Sequence, residues 1–314
     1  MSENDNQQPV GWERQTLEKI ALSAVKEQRR ARHWSIFFKS LTFIYLFLLL
    51  FYAMDWIGDE ASVTGDHTAL IDIQGVIGSE DEVNADDVIS SLQSAFDNAH
   101  TKGVILRINS PGGSPVQAGL INDEISRQRK LHPKIPLYAV VEDICASGGY
   151  YIAAAADKIY VDKASIVGSI GVLMDGFGFT GIMDKLGVER RLITAGENKA
   201  ILDPFSPVKP EQREYAQHLL DEVHQQFIDV VRKGRGQRLK ETPEMFSGLF
   251  WTGETSIKLG LADALGSSEY VAREIIKQEN IVDFTTREGF ADRFARRFGA
   301  AAMNSLLHLQ GGMR

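Results

Sequence analysis

The segment 135–156, IPLYAVVEDICASGGYYIAAAA, decides the fold class of this chain. Its first part, residues 135–141, is a short apolar run that is typical of a buried strand. Its last part, residues 147–156, is rich in alanine and predicts a compact helix. A strand that leads through a glycine-containing turn into a helix is the building unit of an α/β fold.

The same strand–turn–helix pattern recurs on both sides of this segment. Upstream, residues 69–77 and 103–108 predict strands, and residues 85–99 and a stretch through 120–125 have the spacing of helices. Downstream, the pattern predicts strands at 158–161, 166–173 and 188–194, and helices at 211–233 and 267–278. Alternating strands and helices with short connections predict an α/β domain whose functional residues lie at the carboxyl ends of strands.

Composition excludes several classes of function. The 314 residues contain 34 Lys and Arg against 42 Asp and Glu, and the resulting net charge of -8 gives no electrostatic footprint for nucleic acid. The single cysteine, Cys145, rules out a disulfide within the chain. The seven histidines form no close Cys/His pair, so we expect neither a zinc site nor another cofactor.

The run 41–54, LTFIYLFLLLFYAM, is the strongest local signal. Flanking aromatic residues extend it to 34–57, a length that crosses a bilayer, with Trp34 and Trp56 at the two interfaces and Lys39 near one end. A cleaved signal peptide is one alternative, although the leader is long and no small-residue cleavage site follows Met54. A buried helix is the other alternative.

Charge predicts the orientation of this span. Basic residues precede it and acidic residues follow it, which places the N-terminus in the cytoplasm and the rest outside, at the periplasmic or extracytoplasmic face of a bacterial inner membrane. The predicted division is a cytoplasmic segment (1–33), a transmembrane anchor (34–57), a linker (58–67), an extracytoplasmic domain (68–280) and a C-terminal amphipathic tail (281–314). Within the first, residues 12–33 have helical spacing, typical of a helix on the membrane surface or in solvent. The tail, with Phe290, Phe294 and Phe298, is a candidate assembly element.

Two turns carry residues suited to chemistry. In INSPGG (108–113) and CASGG (145–149), paired glycines allow backbone amides to approach a ligand and to stabilise an oxyanion. Ser147 lies between a strand and a helix, where its hydroxyl is either a nucleophile or a helix N-cap. Cys145 is a rival nucleophile, but no histidine partner is evident for it.

A nucleophilic serine needs a base. No histidine lies in a recognisable catalytic context, and a lysine serves only when burial suppresses its charge, since its ordinary pKa is about 10.4. Lys199, in the loop AGENKAILDPF, is a candidate. Spacing alone does not favour it over Lys158, Lys163 or Lys185, each of which is a solvated surface lysine by default.

Five motifs, in order, resemble those of signal peptide peptidase A, the protease IV family, in its short single-domain form. They are RINSPGGSP (107–115), CASGGYYIAAAAD (145–157), ASIVGSIGV (164–172), AGENKAILDPFSP (195–207) and FWTGETSIKLGLAD (250–263). The resemblance covers about residues 68–280 together with the N-terminal anchor.

The resemblance implies a fold of stacked β-β-α units like those of ClpP and the crotonases. It implies that Ser147 is the nucleophile, that Lys199 is the base, and that Ser169 hydrogen-bonds the lysine amine. The backbone N–H groups of Gly113 and Gly148 would then hold the oxyanion.

The substrates that the resemblance implies are remnant signal peptides left after cleavage of secreted proteins. Such apolar, extended peptides would add as a strand beside residues 166–172, with Ile166, Ile170 and Val172 as substrate-binding candidates. Short family members form ring-shaped homo-oligomers whose active sites take Ser and Lys from neighbouring subunits.

Two other functions remain open at this point. A crotonase-like CoA-thioester enzyme explains the glycines, but it explains neither Ser147 with Lys199 nor the anchor. A non-catalytic scaffold tethered to the membrane explains the anchor but makes no use of the reactive side chains.

Overall fold

The computed structural model describes residues 11–53 and 65–286. They belong to two compact units, an N-terminal helix and the domain that follows it in sequence. The predicted far end of the membrane span, most of the predicted linker and the phenylalanines of the predicted tail lie outside the described residues.

The N-terminal helix, α1 (Trp12–Ala53), has 42 residues, which corresponds to about 63 Å. It runs without interruption across the boundary at residues 33/34, so residues 12–33 do not form a helix of their own. Its apolar part, Leu17–Phe51, contains a window with a mean hydropathy of 1.9. Among the described residues, α1 is the one helix long and apolar enough to cross a membrane.

One mixed sheet organises the domain. Its eight strands in the described range are β1 (His67–Ile77), β2 (Thr101–Gly113), β3 (Leu137–Ala146), β4 (Lys158–Val161), β5 (Ile166–Gly168), β6 (Phe250–Thr252), β7 (Ala264–Leu265) and β8 (Ile281–Asp283). The main order is β6-β5-β3-β2-β1-β8. Outside this order, β4 pairs with β3, and β7 pairs with β4. All pairs are parallel except β5 with β6.

The helices of the domain are α2 (Ala85–Asp97), α3 (Pro115–Leu131), α4 (Gly148–Ala153), α5 (Thr180–Leu186), α6 (Pro210–Arg235), α7 (Gly253–Lys258) and α8 (Ser268–Tyr270). A 3-10 turn (Gly236–Arg238) follows α6, and α8 continues into a π-helical segment (Val271–Ile276). Side-chain oxygens cap the N-termini of several of these helices. Asn84 caps α2, and Ser114 caps α3.

Both faces of the sheet are buried at its centre. The larger core contains Ile71 and Leu106 from the strands and Leu92 and Ile121 from α2 and α3. The smaller core, on the opposite face, places Ile105 and Val140 against the π-helical segment. Strands covered on both faces are apolar along their whole length, and this is why the runs at 69–77 and 103–108 were visible in the sequence.

Strand β3 pairs with two different strands along its length. Its first half, Tyr138–Val140, pairs with β4, and its second half, Ile144–Ala146, pairs with β5. The second half also lies beside β2, where Ser110 is in register with Cys145. The residue that follows β3, Ser147, is therefore held between strands on both sides.

The structure differs from the predicted elements at several places. Residues 188–194 are not a strand, because their exposed apolar side chains find no partner strand. Residues 109–113, predicted as a turn, continue β2, and β5 ends at Gly168 rather than 173. Strand β1 already begins inside the predicted linker, and β8 pairs with β1 inside the predicted tail.

Candidate active site

A cavity of about 540 Å³ opens at the carboxyl ends of β2, β3 and β5. It is lined by Pro111, Gly113, Pro115, Ala118, Ser147, Gly148, Tyr151, Ser169, Gly171, Val172, Leu173, Val223, Gln226, Phe227, Ser247 and Gly248. The structure therefore brings together five of the predicted site residues: Ser147, Ser169, Gly113, Gly148 and Val172.

Ser147 occupies a strained turn between β3 and α4. Its φ of 51° and ψ of -120° lie in a region that costs a non-glycine residue about 1–3 kcal/mol. Two backbone hydrogen bonds hold it, because its N–H donates to the Gly168 carbonyl at 2.9 Å and its carbonyl accepts from the Tyr151 N–H at 2.9 Å.

The Ser147 side chain is half-buried and does not cap α4. Within the described residues its hydroxyl makes no hydrogen bond. The N-cap alternative is therefore not what the structure contains, and the hydroxyl remains available to a ligand in the cavity.

The two glycines that end β2, Gly112 and Gly113, lie against the start of α4. A Cβ added at Gly112, whose φ is +102°, would be 2.7 Å from both the Gly148 nitrogen and the Ser147 Cβ. The Gly113 nitrogen is 3.2 Å from the position that a Cβ of Gly148 would take. The amides of Gly113 and Gly148 therefore lie close to each other beside Ser147, as an oxyanion site requires.

The Ser110 side chain fixes the backbone next to these glycines through two hydrogen bonds. Its fully buried hydroxyl donates to the Gly75 carbonyl at 2.6 Å and accepts from the Gly112 N–H at 3.1 Å. Sequence reasoning did not select Ser110 or Gly112. The NSPGG motif contained both, but only the tertiary contacts distinguish their roles from that of Gly113.

Ser169 faces the same cavity from the end of β5. It also has a left-handed backbone, with a φ of 53°, and its N–H donates to the Leu249 carbonyl at 2.7 Å. Ser147 and Ser169, which directly follow the neighbouring strands β3 and β5 and both have a positive φ, thus line one cavity.

Lys199 is not among the residues that line this cavity, and its side chain is exposed. The dry surroundings expected of a lysine base are therefore not formed within one chain. Lys158, Lys163 and Lys185 are exposed as well, and none of them lines the cavity.

The segment that carries Lys199 is held together by its own contacts. Arg190 forms an ion pair with the largely buried carboxylate of Asp203 at 2.9 Å, and its guanidinium lies 5.2 Å from the ring centre of Phe205. Phe179 stacks on Phe205 at 5.3 Å. These contacts give the Lys199 loop a defined conformation outside the cavity.

Cys145 is fully buried, and burial raises the pKa of its thiol well above its ordinary range. The thiolate is the reactive form of cysteine, so this residue is a packing residue of β3 and not a nucleophile.

The candidate substrate-binding residues separate in the structure. Val172 lines the cavity, Ile170 is fully buried in the core, and Ile166 lines a different cavity with Arg107. Residues 166–168 pair with β3 on one edge and with β6 on the other, so no peptide strand can add beside them. A peptide substrate could therefore add as a strand only beside the residues that follow Ser169.

Two aromatic side chains form a wall of the cavity that the sequence did not predict. Tyr151 of α4 and Phe227 of α6 are in contact, with ring centres 5.0 Å apart. The sequence predicted a helix at 211–233, but not that this helix contributes Phe227 to the cavity with Ser147. Within the described residues, no cluster of three or more His, Cys, Asp or Glu side chains is arranged to hold a metal ion.

Comparisons with known proteins place this chain among its relatives. The model of peptidase family S49 matches residues 129–282. A Brucella abortus protein named Na(+)/H(+) antiporter NhaA is 49% identical over 183 residues, which is 58% of this chain and 25% of that protein. The chain therefore spans about a quarter of that relative.

Two relatives are named for proteolysis. A protein of Enterococcus faecium named for signal peptide peptidase SppA is 30% identical over 250 residues, 76% of this chain and 72% of that protein. Protease 4 of Haemophilus influenzae is 32% identical over 234 residues, 71% of this chain and 37% of that protein. Because the chain is 30% identical to the Enterococcus faecium relative and covers 72% of it, the chain belongs to peptidase family S49.

Proposed function

We propose that the chain is a membrane-anchored serine endopeptidase that cleaves apolar peptides with Ser147 as nucleophile and Lys199 as base. The observation that carries this proposal is the setting of Ser147. Its hydroxyl is free of internal hydrogen bonds, faces a cavity, and lies beside the amides of Gly113 and Gly148.

The proposed reaction has two stages. Neutral Lys199 takes the proton of the Ser147 hydroxyl as its oxygen attacks the peptide carbonyl, and the two amides stabilise the oxyanion. The C–N bond then breaks, and the lysine returns the proton to the leaving amine. In the second stage the same lysine takes a proton from a water molecule as the water attacks the acyl-enzyme, and it gives that proton to the Ser147 oxygen when the ester bond breaks.

Lys199 would reach Ser147 from a neighbouring copy of the chain. Its loop belongs to a segment with highly exposed apolar side chains, including Leu173 (80% exposed), Phe177 (79%) and Ile193 (96%). Large apolar side chains exposed to this degree are often covered by a partner. Assembly into a ring-shaped homo-oligomer would cover it, exclude water from the lysine amine, and allow Ser169 to hydrogen-bond that amine.

Mixing two inactive variants tests this arrangement. Ser147→Ala and Lys199→Ala should each abolish hydrolysis of a fluorogenic apolar peptide. Equal amounts of the two, unfolded and reassembled together, should regain about one quarter of wild-type activity, because a head-to-tail contact combines the two kinds of chain at random. Lys185→Ala is the control, since this lysine is exposed in the same segment.

Each outcome has a clear meaning. Full activity of Lys199→Ala would remove the lysine from the mechanism. An inactive mixture from variants that assemble normally would refute the sharing of sites between chains. Loss of labelling by a fluorophosphonate in Ser147→Ala, with labelling retained in Lys185→Ala, would support the nucleophile.

Remnant signal peptides are the substrate class that we propose. The cavity walls contributed by Ala118, Val172, Leu173 and Phe227 are apolar, which suits such peptides. The name of the Enterococcus faecium relative refers to the same substrates. Degradation of a synthetic signal peptide, with a polar peptide of equal length as control, tests this specificity.

The proposed location is the bacterial inner membrane, with α1 as a single-pass anchor, the N-terminus in the cytoplasm and the catalytic domain outside. The apolar part of α1 and the basic residues before it support this topology. Digestion of the domain by protease added to spheroplasts, but not to intact cells, is the expected result. We also propose the ClpP/crotonase type of fold, which the parallel pairing of β1, β2 and β3 with intervening helices supports.

A further inference from the structure

The basic residues that precede the apolar part of α1 are concentrated in two helical turns. Residues 26–33 read KEQRRARH and contain five basic side chains and one acid: Lys26, Arg29, Arg30, Arg32, His33 and Glu27. All of them are exposed. Within the described ranges, none of these lysine and arginine side chains forms an ion pair with a carboxylate. The cluster therefore carries a net positive charge.

One face of α1 combines part of this charge with aromatic rings. Arg30, His33, Trp34 and Phe37 line a shallow, open cavity of about 390 Å³. The rings of Trp34 and Phe37 meet edge to face, with centres 5.8 Å apart. At about 100° per residue, Lys26 falls on this face too. We call these five residues the basic-aromatic face.

The position of this face along α1 matches the boundary of a membrane. Residues 34–53 are 20 in number, and at 1.5 Å per residue they cover about 30 Å, the thickness of the hydrocarbon core. Arg30 and Lys26 then lie about 6 and 12 Å before Trp34, at the depth of the headgroup layer and just beyond it. Trp34 lies at the interface, where tryptophan is enriched.

We propose that the basic-aromatic face binds the headgroup of an anionic glycerophospholipid. Arg30 and Lys26 would contact the phosphate, since guanidinium and ammonium groups form charge-assisted hydrogen bonds with phosphate oxygens. Trp34 and Phe37 would pack against the glycerol and the upper part of the acyl chains. A zwitterionic lipid carries its own cation next to the phosphate, so it competes poorly for this face. The proposal rests on the membrane anchor proposed above.

Lipid selectivity of the full-length chain tests the proposal. The chain is reconstituted into vesicles, and electron spin resonance measures how strongly spin-labelled phosphatidylglycerol and phosphatidylcholine associate with it. The wild type should prefer phosphatidylglycerol. Lys26→Gln with Arg30→Gln should reduce that preference by about fivefold for each charge removed at low salt, and 1 M salt should do the same.

The matched control removes two charges from the same two turns on the other side of the helix. Arg29 and Arg32 lie about 100° and 160° away from Arg30, so Arg29→Gln with Arg32→Gln should change the preference by less than about twofold. Lys26→Arg with Arg30→Lys keeps both charges and should keep the selectivity.

If both double glutamine variants lost the preference for phosphatidylglycerol equally, the basic-aromatic face would not be the binding site, and the charge of the whole basic segment would account for the preference. An unchanged preference in Lys26→Gln with Arg30→Gln would overturn the proposal outright. Failure of the wild type to enter vesicles of either composition would refute the anchor itself, which is a different result from insertion without headgroup preference.

Discussion

Removal of one buried hydroxyl, in the variant Ser110→Ala, should disable the active site without unfolding the chain. Ser110 is fully buried, donates to the Gly75 carbonyl at 2.6 Å and accepts from the Gly112 N–H at 3.1 Å. The substitution leaves both backbone groups without this partner. A buried polar group that loses its partner costs about 1–3 kcal/mol, so we expect the free energy of unfolding to fall by about 2–4 kcal/mol.

The effect on catalysis should be larger than this loss of stability explains. Without the hydroxyl, the Gly112 amide is no longer fixed, and the adjacent Gly113 amide loses its direction toward the oxyanion. Loss of one oxyanion donor lowers kcat by about 10²–10³, and we expect a decrease of about 10² here because the amide remains nearby. KM should change little, since the oxyanion exists only in the transition state.

Ser165→Ala is a closely matched control. Ser165 is also buried, its hydroxyl donates to the Glu142 carbonyl at 2.5 Å, and it accepts from the Asp162 N–H at 3.0 Å. It lines the cavity with Arg107 rather than the one with Ser147. Denaturant unfolding should show similar destabilisation of the two variants, whereas hydrolysis of a fluorogenic peptide should show a lowered kcat for Ser110→Ala alone. Equal kcat values in the two variants would refute the assigned role of Ser110.

Three further predictions concern the domain around the site. Cys145→Ser should keep full peptidase activity, and the wild-type thiol should react with a disulfide reagent only after unfolding, because burial raises its pKa and hides it. Burial raises the pKa of Asp263, but the hydrogen bond and charge of fully buried Arg235, together with the Ile159 N–H and the charge of Arg238, outweigh that effect and hold the pKa below the ordinary value of about 3.9. A depressed pKa stabilises the fold above that value, so Asp263→Asn should lower the free energy of unfolding by about 3 kcal/mol at pH 7, and denaturant titrations should show the difference shrinking as the pH falls below about 4. Gly234→Ala should destabilise the domain in thermal unfolding, although alanine usually favours a helix by about 1 kcal/mol, because its Cβ would lie 2.0 Å from the Ala154 carbonyl oxygen; unchanged stability would contradict that packing.

The long elements of the fold were predictable because local pattern determines them. Strands β1 to β4 are apolar runs buried on both faces, and α2 and α6 have one buried stripe each. The short strands β6, β7 and β8 were not foreseen, since two or three residues carry no periodicity and become strands only by pairing with a neighbour. Residues 188–194 were predicted as a strand although they form none. Their apolar side chains are exposed in a single chain and pair with no neighbouring strand.

The candidate site was predictable to the extent that its residues lie next to one another in the sequence. Ser147 and Gly148 are adjacent in one motif and Gly113 belongs to another, so the roles that we propose for them came from local chemistry and from the resemblance. The place of Phe227 in the cavity could not be predicted from the sequence, because it depends on how α6 packs against α4. The proposed pairing of Lys199 with Ser147 would require an assembly, since Lys199 does not line the cavity with Ser147 in one copy of the chain.

The divided pairing of β3 places a limit on how this chain can change in evolution. Residues 141–143 join the half that pairs with β4 to the half that pairs with β5, and Glu142 and Asp143 are exposed. Within the described part of the chain, their side chains make only exposed polar contacts, Glu142 with Arg107 and Gln74 and Asp143 with Asn109, so substitutions at these two positions disturb no core packing. A single inserted or deleted residue would instead turn every later side chain of the strand to the opposite face of the sheet, moving Cys145 out of its present packing and directing Ser147 away from the amides of Gly113 and Gly148. Length, more than identity, is what we expect descendants of this sequence to preserve here.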